Sequence, residues 1–255
     1  GNMHEVTGSN KWVKVDDTYY YVTEDGFYES CIVKINNKYY GFDYSGAMYS
    51  DTEFSMYANE KYVYYYATED GTLLCGQWKQ RGDSWFYYGS DCTAYDGVQS
   101  VDGKTYYFSN GRMNTNMAFS DENGKNYICD KNGIVHQVTD NNKWVKYDNI
   151  YYYVKDGKFL KNNISKIGSA YYGFDSDGNM KDNGLFSLWI SSGNEGHYSF
   201  YYADKSGALA VNKWIQRYDE WYYFGGDATG LDGVKVINGT KYCFENGRML
   251  ASRAV

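Results

Sequence analysis

Short runs in which aromatic and β-branched residues alternate with polar ones recur along the whole chain, separated by turns rich in Asn, Asp and Gly. In the run at 18–22 (TYYYV), a period of two places Tyr19 and Tyr21 on one side and Tyr20 and Val22 on the other. The turns DDT, INNK, VDGK and INGT suit the positive φ of a tight hairpin. Helices are disfavoured because aromatic residues dominate and Gly recurs frequently. The pattern predicts an all-β chain of short antiparallel hairpins.

The chain is internally duplicated, because NKWVKVDDTYYYVTEDG at 10–26 returns as NKWVKYDNIYYYVKDG at 142–157. Trp12 corresponds to Trp144, an offset of 144 − 12 = 132, whereas Trp78 corresponds to Trp214, an offset of 214 − 78 = 136. Four extra residues therefore lie somewhere within 181–199. We expect an N-terminal extension at 1–9, a first repeat half at 10–141 and a second repeat half at 142–255.

Each half divides into units of about 20 residues, in which a short apolar strand, a polar turn and an aromatic strand follow one another. Since an isolated hairpin is marginal in water, these units are expected to stack and bury their rings between neighbours, as an elongated β-hairpin solenoid. Eleven units are predicted, six in the first half and five in the second, beginning near Trp12, Val33, Phe54, Trp78, Val98, Phe119, Trp144, Ser165, Leu188, Trp214 and Val234.

The amino-acid composition restricts the classes of partner that the chain can bind. The 255 residues include 20% aromatic residues and no Pro, so the core is expected to consist of rings rather than of Leu, Ile and Val. A formal net charge of −7 with interspersed acids and bases argues against a nucleic-acid partner, which requires a basic stripe. No apolar run approaches the roughly 18 residues of a membrane helix, so membrane insertion is not expected.

Residues that could carry metal or catalytic chemistry do not repeat with the fold. The five cysteines show no metal-type spacing, so they are expected to be strand hydrophobes, one opportunistic disulfide being the alternative. The acidic turns at 43–46, 121–124, 130–133 and 175–178 lack the later bidentate Glu of a calcium loop and are interpreted as turns. His4, His136 and His197 are unmatched between the halves. We expect no cofactor, no metal and no required disulfide, and no enzyme, a deep cavity with two nearby carboxyl groups being the discriminating feature.

A Trp that opens a strand, a polar turn, a WYYF-like run and then Asn-Gly-x-Met form a recognisable motif. It resembles the choline-binding and glucan-binding repeats of Gram-positive surface proteins, and is similar to the receptor-binding repeats of clostridial toxins. The resemblance covers nearly the whole chain and implies a β-solenoid that holds ligands in aromatic clefts between consecutive repeats. The best matches are Trp78, Trp85, Phe86, Tyr87, Gly111 and Met113, with their duplicates Trp214, Trp221, Tyr222, Tyr223, Gly247 and Met249.

The chain departs from that family at Val33, Phe54, Val98 and Phe119, which stand where a Trp is expected. This favours a sugar platform or a structural stack over a choline cage in every repeat. The clefts expected to bind ligand are those in which an opening Trp is followed by a second ring and completed by a Tyr of the next unit. They comprise Trp12, Tyr19 and Tyr39; Trp78, Trp85, Tyr106 and Met113; Trp144, Tyr151 and Tyr171; and Trp214, Trp221, Tyr242 and Met249.

The sequence thus predicts a secreted or surface-displayed bacterial binding module, whose partner is a cell-wall polymer or carbohydrate, with choline among the ligands. Its alternative is a structural or adhesive scaffold with a protein partner, in which the rings are core and the methionines fill gaps between them. Exposed rings in open grooves would favour the first, and fully buried rings the second.

Overall fold

The computed structural model describes residues 8–58, 60–192 and 195–250, and within them every element of regular secondary structure is a β-strand. The predicted N-terminal extension at 1–9 and His4 therefore lie largely or wholly outside the described residues. No helix in the described part of the chain could span a membrane. The chain divides into two compact units between Asn114 and Thr115, here called the N-terminal and the C-terminal unit. Each is described separately.

Five hairpins form the N-terminal unit, and all of their strand pairs are antiparallel. A short strand, β12, joins hairpins 4 and 5 into one five-stranded sheet of order β10-β11-β12-β9-β8. The strands are β1 Lys11–Val15 and β2 Thr18–Thr23 (hairpin 1), β3 Gly26–Phe27, β4 Cys31–Ile35 and β5 Lys38–Phe42 (hairpin 2), β6 Thr52–Ala58 and β7 Lys61–Ala67 (hairpin 3), β8 Gln77–Arg81 and β9 Ser84–Tyr88 (hairpin 4), β10 Gly97–Val101 and β11 Lys104–Ser109 (hairpin 5), and β12 Arg112–Met113.

Six further hairpins form the C-terminal unit, where β27 joins hairpins 10 and 11 in the order β23-β24-β27-β26-β25. The strands are β13 Met117–Ser120 and β14 Asn126–Cys129 (hairpin 6), β15 Val135–Val138, β16 Lys143–Tyr147 and β17 Ile150–Lys155 (hairpin 7), β18 Lys158–Phe159, β19 Asn163–Ile167 and β20 Ala170–Phe174 (hairpin 8), β21 Gly184–Ser192 and β22 Glu195–Ala203 (hairpin 9), β23 Lys213–Arg217 and β24 Glu220–Phe224 (hairpin 10), β25 Gly233–Ile237 and β26 Thr240–Glu245 (hairpin 11), and β27 Arg248–Met249.

The all-β class and all eleven predicted hairpins are confirmed, and so is the chemistry of their turns. Asn36 and Asn37 have φ of 49° and 66°, and Asp102 and Gly103 have φ of 50° and 75°. Two consecutive positive φ values define the turn whose twist matches that of the flanking strands. Asn, Asp and Gly tolerate this conformation, which explains why they mark every predicted turn.

The four inserted residues lengthen one hairpin symmetrically. Phe54 pairs with Tyr65 in hairpin 3, and Phe186 pairs with Tyr201 in hairpin 9. The first partners differ by 186 − 54 = 132 and the second by 201 − 65 = 136, so the insertion lies between them. Strands of seven residues in hairpin 3 correspond to strands of nine in hairpin 9. Two residues per strand preserve the alternation of sides, and the position within 181–199 is confirmed.

Consecutive hairpins within a unit are joined by backbone hydrogen bonds. The chain that follows hairpin 2 returns to hairpin 1, where the Met48 amide donates to the Tyr19 carbonyl at 2.8 Å. The duplicate bond joins the Met180 amide to the Tyr151 carbonyl at 2.8 Å. The same kind of bond follows hairpin 3, where the Leu73 amide donates to the Tyr39 carbonyl of hairpin 2 at 2.8 Å. These bonds satisfy strand edges that an isolated hairpin would leave open.

Aromatic and small apolar side chains fill the space between hairpins, as the composition predicted. In the N-terminal unit, Phe54, Tyr65, Ala67, Leu73 and Cys92 form one buried cluster. The C-terminal unit contains two clusters, the first consisting of Ala118, Ile128, Val138, Tyr152, Val154 and Phe159, the second of Leu188, Tyr201, Ala203, Leu209 and Ala228.

The expectation that all five cysteines are strand hydrophobes is wrong for two of them. Cys75 and Cys92 form a disulfide that closes the base of hairpin 4, with a sequence separation of 17. Cys31, Cys129 and Cys243 are free thiols. Burial raises the pKa of the Cys129 thiol to about 12, so that this residue behaves as the hydrophobe that was predicted. The alternative of a single opportunistic disulfide is the one that the structure shows.

Candidate functional site

Each opening Trp lies in a cluster of three other rings. Within its own hairpin it meets a cross-strand Tyr, with ring centroids 5.1 Å apart in all four clusters. From the next hairpin it meets a second Tyr at 4.8 to 5.1 Å and a buried Phe at 5.7 to 6.0 Å. The clusters consist of Trp12 with Tyr21, Tyr40 and Phe42; Trp78 with Tyr87, Tyr106 and Phe108; Trp144 with Tyr153, Tyr172 and Phe174; and Trp214 with Tyr223, Tyr242 and Phe244.

Two tyrosines named from the sequence do not contact the opening indole, whereas their neighbours Tyr40 and Tyr172 do. The ring that meets the indole stands two residues before the buried Phe, on the same side of the strand. Tyr106 and Tyr242 satisfy this rule, and they contact Trp78 and Trp214 as predicted. Tyr39 and Tyr171 do not, because a Gly separates the Tyr pair from the Phe in KYYGF and AYYGF.

Tyr40 and Tyr172 take the positions that Tyr39 and Tyr171 were expected to hold, with ring centroids 4.8 Å from Trp12 and from Trp144. The other ring of each pair faces the opposite side. Tyr39 packs against the cluster around Phe54, and Tyr171 packs against the cluster around Leu188.

The intervening glycines are required by a close approach of the next hairpin. A Cβ at Gly41 would lie 2.4 Å from the ring of Phe54, and a Cβ at Gly173 would lie 2.6 Å from the ring of Phe186. Real Cβ atoms do not come so close to a ring carbon, so no larger residue fits there without repacking. The shift in the tyrosine pairs therefore has a steric cause.

The second ring of each predicted cleft is exposed. Trp85 and Trp221 have 40% and 41% of their surface open to solvent, whereas Trp78 and Trp214 are half-buried. Their edge-to-face contacts with the opening Trp have centroid distances of 6.3 Å, and that of Tyr151 with Trp144 is 6.4 Å. Tyr19 is also exposed, beneath the ammonium of Lys14 at 5.3 Å. The inner rings Trp12, Trp78 and Trp214 are thus less accessible than the outer rings, whereas Trp144 is itself exposed.

A cavity of about 420 Å³ adjoins Trp144 in the C-terminal unit, lined by Tyr151, Tyr172 and Met180. Met180 is held against the next turn, since a Cβ at Gly207 would lie 2.4 Å from the methionine methyl. Met48 lies equally close to Gly71 in the N-terminal unit. Met113 and Met249 pair in the strand ladder with Phe108 and Phe244, so these two predicted methionines stand beside the buried Phe of the second and fourth clusters.

The cavity beside Trp221 is larger, about 670 Å³, and has an acidic rim of Asp219, Glu220, Asp232 and Glu245. Arg248 donates to Glu220 at 2.8 Å and to Glu245 at 3.4 Å. Hydrogen bonds from Arg248 and Tyr222 hold the pKa of Glu220 below its usual value. Sequence reasoning missed this rim, because strand β27 carries Arg248 into the sheet from a distant part of the chain.

These carboxylates bear on the enzyme alternative, for which a cavity with neighbouring carboxyl groups was the discriminating feature. A glycosidase-type pair needs one carboxyl group whose pKa is raised, so that it can act as a general acid. Glu220 is shifted in the opposite direction and is paired with a cation. Glu220 itself is therefore not suited to act as the general acid of such a pair.

The Asp side chains of the acidic turns accept hydrogen bonds from backbone amides. In eight turns of the described chain, an Asp Oδ1 accepts the amide of the residue two positions later, as an Asx turn does. Asp43, Asp121, Asp130 and Asp175 confirm the turn interpretation of the sequence, and the described residues contain no cluster of three His, Cys, Asp or Glu suited to a metal. The eight are Asp43, Asp70, Asp91, Asp121, Asp130, Asp175, Asp204 and Asp227.

We expect the protein to lose stability in acid through these turns. Hydrogen bonds from Thr68 and Thr72 lower the pKa of Asp70, and those from Ser206 lower the pKa of Asp204. A folded-state pKa below the ordinary value of 3.8 means that the unfolded chain binds more protons, so the stabilisation is complete above that pH and declines below it. The urea midpoint should fall between about pH 5 and about pH 3.

Asp70→Asn is the matched control for this acid effect, since Asn keeps the accepting oxygen but does not titrate. It should reduce the pH dependence of the urea midpoint without greatly changing that midpoint at neutral pH. A midpoint that stays constant down to about pH 3 would show that the turns contribute nothing.

No family model matches the chain. It is 32% identical over 171 residues to glucosyltransferase-S of Streptococcus mutans, covering 65% of this chain and 11% of that protein. It is 26% identical over 262 residues to glucosyltransferase-I of Streptococcus downei, covering 98% of this chain and 16% of that protein. The chain therefore spans only a small part of the length of these relatives.

Solved structures of streptococcal choline-binding proteins are also similar to the chain. Choline binding protein F of Streptococcus pneumoniae has a TM-score of 0.42 and 21% identity, with 96% of this chain and 94% of that one covered. CbpJ of the same organism has a TM-score of 0.41 and 21% identity, with 94% of each chain covered.

Proposed function

We propose that this chain is a non-catalytic binding module that holds a cell-wall polymer or carbohydrate in the aromatic clefts between consecutive hairpins. Glucan, choline-bearing teichoic acid and host glycan are the ligand classes, and the setting is a secreted or cell-surface bacterial protein. The observation that carries the proposal is the threefold recurrence of an opening indole in contact with an exposed second ring, Trp78 with Trp85, Trp144 with Tyr151 and Trp214 with Trp221. A core residue has no need of an accessible partner, whereas a sugar face or a cation does.

Within each unit, we propose that the hairpins stack as a solenoid. The regular return of the chain to the preceding hairpin supports this, as in the bonds from Met48 to Tyr19 and from Leu73 to Tyr39. The two halves at 10–141 and 142–255 are proposed as the units of duplication, with an extension at 1–9. The spatial division at Asn114 and Thr115 is a separate property, because it reflects contacts rather than ancestry.

The proposed binding residues are the inner and outer rings together with the tyrosine of the next hairpin and the methionines beside them. Tyr40 and Tyr172 complete the first and third clefts in place of Tyr39 and Tyr171. The set is Trp12, Tyr19 and Tyr40; Trp78, Trp85, Tyr106 and Met113; Trp144, Tyr151 and Tyr172; and Trp214, Trp221, Tyr242 and Met249.

The clefts are not equivalent in charge. Glu220 and Glu245 flank the cavity of the fourth cleft, where the corresponding residues of the second cleft are Ser84 and Ser109 (220 − 84 = 136, 245 − 109 = 136). Aromatic faces beside carboxylates favour a cationic ligand. The fourth cleft is therefore the one in which we propose choline, and the other three are better suited to neutral sugars.

A structural scaffold with a protein partner is the second candidate, favoured by the half-buried state of Trp12, Trp78 and Trp214 and by the three rings around each of them. The two functions differ in what the outer rings do. In the scaffold, Trp85 and Trp221 are dispensable for binding any glycan or wall polymer.

We expect replacement of Trp85 and Trp221 together by Ala to weaken binding to purified cell wall or polysaccharide by roughly tenfold, and each single change to weaken it much less. A polymer engages several weak sites, so loss of one leaves the others to retain it. Cosedimentation of the full chain with cell wall measures the effect. Tyr44→Ala, at an exposed ring outside the clefts, is the control. Undiminished binding by a folded double variant would favour the scaffold.

A further inference from the structure

The two longest hairpins each carry an exposed aromatic pair near the tip, outside the four clefts. In hairpin 3, Tyr57 pairs across the strands with Tyr62, the rings meet edge to face at 5.3 Å, and the two residues are 67% and 64% exposed. In hairpin 9, Trp189 pairs with Tyr198 at 5.1 Å, and both are exposed. The cross-strand ring contact itself contributes only about 0.2–1 kcal/mol to the hairpin, and much of each ring surface stays in water.

The duplication preserves this pair although the hairpin itself changed length. Trp189 corresponds to Tyr57 (189 − 57 = 132) and Tyr198 corresponds to Tyr62 (198 − 62 = 136), on either side of the insertion. The extra residues were therefore accommodated while the two rings stayed paired. None of the four rings belongs to a hydrophobic cluster, so packing between hairpins does not explain them.

A groove of about 240 Å³ adjoins Tyr62, one ring of the pair in the N-terminal unit. Tyr62 and Tyr64 form its aromatic side. Its polar side includes Asp91, Asp96 and Asn110, in which one carboxylate oxygen of each Asp accepts a backbone amide at 3.1 Å, from Thr93 and from Asn110. A second oxygen of each carboxylate and the Asn110 side-chain amide remain as hydrogen-bonding groups at the groove.

The charges in the groove narrow the ligand class. Lys61 lines it together with Asp91 and Asp96, whose carboxylates each accept a backbone amide, so the groove has charges of both signs and lacks the four-carboxylate rim of the fourth cleft. A neutral polyhydroxyl ligand suits this mixture, because its hydroxyls donate to carboxylates and accept from ammonium and amide groups. Its C–H faces pack on exposed rings. The volume lies below the roughly 300–1,000 Å³ of pockets for drug-sized ligands, which restricts it to about one sugar ring.

We propose that hairpin 3 carries a second kind of ligand site, in which the Tyr57 and Tyr62 rings and the adjoining groove hold a neutral hexose of a glycan chain. The site is distinct from the aromatic clefts between hairpins and uses none of their rings. Its polar residues recur in the C-terminal unit as Asp227, Asp232 and Asn246 (227 − 91 = 136, 232 − 96 = 136, 246 − 110 = 136). A cavity of about 420 Å³ adjoins hairpin 9 and shares with this groove only Phe200 and Asn246, the counterparts of Tyr64 and Asn110.

The test is calorimetric titration of the full chain with dextran, maltohexaose and chitohexaose, and with choline chloride as the cationic probe. The native chain should bind at least one of the three neutral glycans. Replacing Tyr57, Tyr62, Trp189 and Tyr198 together by Thr should weaken that binding about tenfold without affecting choline. Tyr57→Thr with Tyr62→Thr alone should lower the number of glycan sites per chain. Thr keeps the strand propensity, so the variants should melt as the native chain does.

Tyr44→Thr is the matched control, since this exposed ring lies in a turn of the same unit and should not alter binding. Equal glycan binding by the fourfold variant, or an equal loss in Tyr44→Thr, would overturn the site, as would a native chain that binds none of the three glycans. The Trp85 and Trp221 double variant separates this from the proposed cleft function. If glycan binding is lost only in that double variant, the cleft function stands and the proposed site on the hairpin is ruled out.

Discussion

Replacing Phe108 by Ala is expected to destabilise the N-terminal unit by about 3–5 kcal/mol. Phe108 is fully buried and its ring centroid lies 6.0 Å from that of Trp78 and 5.8 Å from that of Tyr95. Truncation removes the transfer free energy of the ring and leaves a cavity that neighbouring rings, held by strand pairing, fill only in part. Native-state hydrogen exchange across strands β8 to β11 measures the loss.

Phe27→Ala is the control for this prediction, since Phe27 is an exposed ring of the same unit and its truncation should cost less than about 1 kcal/mol. The Phe108 change should also weaken ligand binding at the second cleft, because it withdraws the support behind Trp78. If exchange rates in β8 to β11 of the Phe108→Ala variant match those of the native chain, Phe108 does not hold the hairpins together.

The hairpins could be predicted from sequence because their determinants are local. A period-two aromatic run fixes which side chains face the neighbouring hairpin, and an Asn or Asp turn fixes the register. The paired offsets of 132 and 136 bracket the insertion within 181–199, and the structure shows that each strand gains two residues, an even number that keeps every side chain on its side.

The composition of the clefts was harder to predict, because it depends on contacts between hairpins. Tyr39 and Tyr40 are the same residue type, so the sequence alone does not show which of them faces Trp12. Gly41 decides this, because Phe54 of the next hairpin packs where a Cβ at Gly41 would lie. The acidic rim of the fourth cleft was missed for a similar reason. Arg248 reaches Glu220 only because β27 pairs with β24.

The disulfide left no sequence signal of the usual kind. Cys75 and Cys92 lack metal or redox spacing, and their duplicates are Val211 and Ala228 (211 − 75 = 136, 228 − 92 = 136). Apolar residues at the matching positions indicate that the site is a small buried space, which thiols or aliphatic side chains can both fill. Only the structure shows that the two sulfurs meet there.

Reduction of the Cys75–Cys92 disulfide is expected to destabilise the N-terminal unit by about 3 kcal/mol, because the crosslink closes a loop with a sequence separation of 17 and so restricts the unfolded chain. Cys92 is fully buried in the cluster with Phe54, Tyr65 and Leu73, so this cluster should loosen first. Limited proteolysis and hydrogen exchange across β6 to β9, with and without a phosphine reductant, measure the effect.

The duplication supplies the matched control for the disulfide. Cys75→Val with Cys92→Ala gives the N-terminal unit the residues that the C-terminal unit uses, so it keeps the apolar packing and removes only the crosslink. This variant should show the stability of the reduced native chain and should not respond to reductant. If reductant destabilises the native chain and the variant equally, the effect arises elsewhere. If neither reductant nor the substitutions alter exchange in β6 to β9, packing alone holds hairpin 4, as Val211 and Ala228 do without a crosslink at the base of hairpin 10.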